Sequence, residues 1–64
     1  MDEIATVSGT ITKHGFMGFA IDNIPIESGN FVYYFILREA VRLKTIMTIV
    51  GVYNGNTIRL GKFI

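Results

Sequence analysis

The 64-residue chain has no cysteine, no tryptophan, one proline (Pro25) and one histidine (His14). Without cysteine there is no disulfide framework and no thiolate to bind a metal. A single imidazole cannot build a zinc site without several acidic partners. The usual staples of very small domains are therefore missing, and stability has to come from apolar packing. Long hydrophobic runs are absent too. The longest are Phe31–Leu37 and Ile46–Val50, far below the ~20 residues of a spanning helix. The opening Met1-Asp2-Glu3 is acidic where a secretory leader is basic. These features lead to the expectation of a soluble, cytoplasmic protein with no membrane association.

What is present is apolar content of 50%, rich in isoleucine, and seven glycines. The length sets one domain over 1–64. Net charge is +1 but unevenly spread. Residues 1–37 carry one base against four acids, and residues 38–64 carry five bases against one acid. A basic half suits a polyanion, although mixed charges also simply solvate a surface.

β-Branched and aromatic residues between glycine- and asparagine-bearing turns predict strands. Asn54-Gly55 predicts a two-residue hairpin loop that pairs Tyr53 with Asn56 and Ile49 with Leu60. Met47, Ile49, Ile58 and Leu60 then share the core face, with Thr48, Val50, Thr57 and Arg59 opposite. By the same register Lys62 falls on the core face and snorkels at its end. In the first hairpin, a three-residue loop His14-Gly15-Phe16 pairs Ile11 with Phe19. It places Val7, Ile11, Met17, Phe19 and Ile21 inward, leaves Ala20 opposite, and puts Phe16 at an exposed tip. A turn at Asp22-Asn23 pairs Ile21 with Ile24 and Phe19 with Ile26. Residues 27–30 read as a loop. For residues 31–44 the prediction is a strand over about 31–36 giving way to a helix of about two turns, in which Glu39 can pair with Arg42. A single helix from about Phe31 is the alternative.

The order strand, strand, strand, helix, strand, strand matches a mostly β, small five-stranded Greek-key barrel. Val7-Ser8-Gly9-Thr10-Ile11, with a glycine where the strand bends, resembles a first strand of the oligonucleotide-binding (OB) fold. Phe19-Ala20-Ile21-Asp22-Asn23 and Ile49-Val50-Gly51-Val52-Tyr53-Asn54-Gly55-Asn56-Thr57-Ile58 resemble the second strand and the last hairpin. Together they are similar to a minimal form of the anticodon-binding and replication-protein-A-like OB domains. An SH3-like barrel, which lacks the helix, is the alternative fold.

Catalysis finds little material. There is no phosphate-cradling glycine loop before a helix and no oriented acid–base pair, so a non-enzyme without cofactor or metal is expected. The resemblance implies a single-stranded DNA or RNA binder. Aromatic stacking and basic contacts supply such binding, and the candidates are Lys13, His14 and Phe16 in the first loop, Tyr33 or Tyr34 on the third strand, Tyr53 at the last turn, and Arg59 on the fifth strand. Arg59 is the firmest by register, and which tyrosine points outward stays open. The rival expectation is a protein-assembly module, either a homo-oligomer or a small subunit of a larger complex. In that reading the exposed aromatics are interface anchors and the strand ending at Phe63-Ile64 is an edge for pairing.

Overall fold

The computed structural model describes residues 2–64. Five strands and one helix follow in the order β1 (Glu3–His14), β2 (Gly18–Ile21), β3 (Ile24–Glu27), α1 (Phe31–Leu43), β4 (Ile46–Tyr53) and β5 (Ile58–Phe63). The sheet closes in a ring, β1-β2-β3-β5-β4, with β4 returning to β1. All neighbours are antiparallel except β3 and β5, which run parallel through Ile26–Ile58 and Glu27–Arg59. Closure depends on the long β1, which pairs with β4 over Glu3–Thr10 and then with β2 over Ile11–His14. Gly9 stands one residue before that changeover.

Alternation decides what lies inside. Ile11, Ile21, Ile49 and Ile58 are at most 2% exposed, and Phe19 and Leu60 join them. Leu37 and Ala40 of α1 complete the cluster, with Tyr33, Tyr34 and Val41 packed against it. Among the described residues no polar or charged side chain is buried, so this core carries no desolvation cost for unpaired polar groups.

The turns differ from the sequence expectations in detail. The first loop does hold three residues, but His14 pairs with Gly18 and Ile11 with Ile21, so His14 ends β1 and Gly15-Phe16-Met17 form the loop. The shift moves each pairing by two, which keeps Ile11, Phe19 and Ile21 inward. Met17, expected in the core, is instead in the loop and exposed. Ala20 lies on the outer side as expected, between Thr12 and Pro25, yet is buried there. The Asp22-Asn23 turn forms with the predicted register, both residues at positive φ as a type I′ turn requires. Glu27, expected in a loop, is the last residue of β3.

The Asn54-Gly55 hairpin is longer than predicted. Tyr53 pairs with Ile58 and Gly51 with Leu60, leaving Asn54–Thr57 as the loop. The Asn54 side chain accepts from the backbone N–H groups of Asn56 and Thr57, both at 2.9 Å. That local bond holds Asn54 out of the left-handed conformation a two-residue loop needs, and only Gly55 has positive φ. Gly61 is then an extra residue between Leu60, opposite Gly51, and Lys62, opposite Val50. This bulge reverses the alternation. Phe63 packs on the core and Lys62, expected on the core face, joins Val50 on the outside and is exposed. At Gly51 a Cβ would meet the Arg59 carbonyl oxygen at 2.3 Å, so only glycine lets β4 and β5 approach this closely.

Residues 31–36, expected as a strand, belong to the 13-residue helix α1. The single-helix alternative is the one the chain adopts. Its start is fixed by Asn30, whose side chain accepts from Val32 N–H at 2.8 Å in the manner of an N-cap. Its end is set by Lys44 in the left-handed region, whose N–H returns to the Ala40 and Val41 carbonyls. Burial at 33, 34, 37, 40 and 41 has helical spacing, which overrides the β propensity of the individual residues.

Candidate interaction surface

The helix places its tyrosines inward, not on a strand and not in water. Tyr33 donates its hydroxyl to the Gly61 carbonyl at 3.0 Å and stacks edge-on with Phe63. Tyr34 stacks edge-on with Phe19, centroids 5.5 Å apart. Both are half-buried, so neither is the free outward platform expected of one of them. Tyr53 is half-buried against the core, and its hydroxyl donates to Gly55 within its own loop.

Three of the sequence candidates meet at the first loop. Phe16 is 92% exposed. Lys13 lies 5.3 Å from the Phe19 ring centroid and donates to the Phe16 carbonyl at 3.5 Å, while exposed His14 ends the strand beside them. Arg59 is exposed and outward as predicted, but it stands beside Glu27 in the parallel ladder. It shares a small hollow with Asp2, Glu27 and Asn54. The outer residues of the β1–β2–β3 face between the loops include Thr12, Ala20 and Pro25, none aromatic.

Sequence reasoning missed the surface formed by the first loop and the outer side of α1. Phe31 is 83% exposed, and Val32, Phe35 and Met17 are each exposed by more than half. Met17, Phe31, Tyr34 and Phe35 line a hollow of about 420 Å³, with Ser28-Gly29-Asn30 as its polar side. Tyr34 links the hollow to the core, since it stacks on Phe19 inside and on Phe35 outside. Toward the helix C-terminus the surface turns polar at Arg38, Glu39 and Arg42. Arg42 donates to Glu39, and this bond holds the Glu39 carboxyl below its ordinary range and raises Arg42. The signal for this surface was a helical period applied from Phe31 onward, which puts 32, 35, 36 and 39 opposite 33, 37 and 40.

The described residues include no cluster of three or more His, Asp or Glu side chains able to hold a metal ion, and no helix among them is long and apolar enough to cross a membrane. What the arrangement offers is apolar area beside a polar rim. No family model, curated protein or solved structure matches the chain.

Proposed function

We propose that the chain is a non-catalytic protein-assembly module built on an OB-type Greek-key barrel. The fold part of this reading is supported by the ring order β1-β2-β3-β5-β4 with the helix between β3 and β4. The functional part rests on one observation: Phe31, Phe35 and Met17 stand in water around one hollow although the core is complete without them. An apolar centre rimmed by Arg and Glu is the anatomy of a protein–protein interface. The test is photo-crosslinking in cells, with a benzophenone-bearing phenylalanine analogue at position 31 and, as a control, at position 48 on the outer sheet face. A discrete protein adduct at 31 and none at 48 is the expected result. Adducts at neither position, or adducts to nucleic acid only, would refute the reading.

A second reading, a single-stranded nucleic-acid binder, is favoured by the meeting of Lys13, His14 and Phe16 at one loop. There the ring of Phe16 is a free stacking surface beside two groups that can carry positive charge. Titration of a fluorescent oligonucleotide decides it. This reading expects affinity that falls as salt rises and drops in Phe16→Ala and Lys13→Glu. Absence of binding at low salt removes it.

A further inference from the structure

We propose that the occupant of the α1 surface is a second copy of this chain, joined across a two-fold axis near Phe35 with the two helices antiparallel. The inference rests on the assembly reading and names its partner.

Area is the first argument. At roughly 200 Å² for a whole phenylalanine side chain, the exposed fractions of Phe31 and Phe35 leave about 280 Å² of ring surface in water. Met17, Val32 and Ile36 enlarge this face. It then reaches the upper part of the ~300–600 Å² of the largest apolar patch on a typical monomer, and the adjoining Arg38, Glu39 and Arg42 extend the face toward the ~800 Å² that each partner buries in a standard interface. For a chain exposing 4470 Å² in all, so large a share fits a permanent contact better than an occasional one.

Self-complementarity is the second. A two-fold contact requires one patch to carry both halves of the fit. Here Phe35, which is 58% exposed, is itself a wall of the hollow that Met17, Phe31 and Tyr34 also line, so one patch carries both a ring to offer and a recess to receive one. With the axis near Phe35, each Phe35 reaches the other copy's hollow. In an antiparallel pair, position 32 of one helix lies near 39 of the other, so Val32 covers the Glu39 end of the apolar stripe. Arg42, nearly a turn farther from the axis, falls at the rim on both sides, where its bond to Glu39 keeps that carboxylate paired. A net charge of +1 per chain adds little repulsion.

Sedimentation equilibrium of the full chain from ~1 μM to ~1 mM tests this, with three variants alongside. The wild type is expected to be a dimer. Phe35→Glu and, independently, Phe31→Ser are expected to weaken the dimer Kd by roughly 30-fold or more, the loss typical of an aromatic anchor, with unchanged circular dichroism. Val50→Glu, on the outer sheet face, is expected to stay dimeric. A wild type that is monomeric throughout overturns the proposal, as does a dimer indifferent to both phenylalanine variants. A crosslink from position 31 to a different protein, together with a monomeric purified chain, overturns the second-copy partner while leaving the assembly reading standing.

Discussion

The interior of the ring and the outer side of α1 are both built from large apolar side chains, yet they meet opposite fates. Ile11, Ile21, Ile49 and Ile58 are sealed at 2% exposure or less, while Phe31, one turn from half-buried Tyr34, is 83% exposed. The same helix takes part in both, since Leu37 and Ala40 face in and Val32 and Phe35 face out. The difference separates two uses of a 50% apolar composition. One set of residues closes the fold. The other contributes nothing to that closure and raises the cost of solvation, so it has to be accounted for by what the protein meets.

Substitutions can break or sharpen this contrast. The largest effect is expected inside. Ile49→Ala should lose about 2–5 kcal/mol of a total that a domain this size holds at only about 3–10 kcal/mol, leaving much of the population unfolded in mild urea. A loss under about 1 kcal/mol would mean the interior is not the folding core. Gly51→Ala comes next, at about 1–3 kcal/mol, because its methyl meets the Arg59 carbonyl and cannot push a backbone atom aside. Tyr33→Phe keeps the ring and removes the hydroxyl from Gly61, for about 0.5–1.5 kcal/mol. On the outer side, Phe31→Ser and Phe35→Ser, measured by thermal melts at concentrations too low for association, should move stability by no more than about 0.5 kcal/mol in either direction. Equal losses from inside and outside would erase the distinction.

The smallest effect concerns pH. Hydrogen bonding from Arg42 holds the folded Glu39 carboxyl below its ordinary value. The contribution is therefore present above the unfolded value, about 4.3, and is lost as pH falls through the lower folded value. Both groups are solvent-exposed, so only a slight fall in helicity is expected by circular dichroism over that acid range. Glu39→Gln should abolish that component.

Much of the sheet was legible because burial fixes parity. The predicted and observed registers of both hairpins differ by two residues over most of their length. Such a shift changes partners but returns every side chain to the same face. That is why Ile11, Phe19, Ile21, Ile49, Ile58 and Leu60 were all placed correctly inside while the loops were not. Parity misled only where something breaks it, as the Gly61 bulge does for Lys62. Loop lengths depended on single hydrogen bonds, such as those accepted by Asn54, which composition does not reveal. The helix was obscured by its own residues: Phe31-Val32-Tyr33-Tyr34-Phe35-Ile36 favours a strand position by position, and only the Asn30 cap and the spacing of the buried set outweigh this. Because the outward aromatics became visible only once that segment was helical, the sequence pointed to the first loop and to Arg59 and passed over the surface between Met17 and Phe35.

The ladder between β3 and β5 is two residue pairs long, and the hydroxyl of Tyr33 reaches β5 just past it. A join held so briefly by backbone is where breathing motions should begin. Amides of β3 and the β5 residues facing it should take up deuterium sooner than those of the long β1–β4 seam. When that join parts, the hoop becomes a flat ribbon with a raw border, and the two pairs that close it are what keep the chain from zipping onto its neighbours.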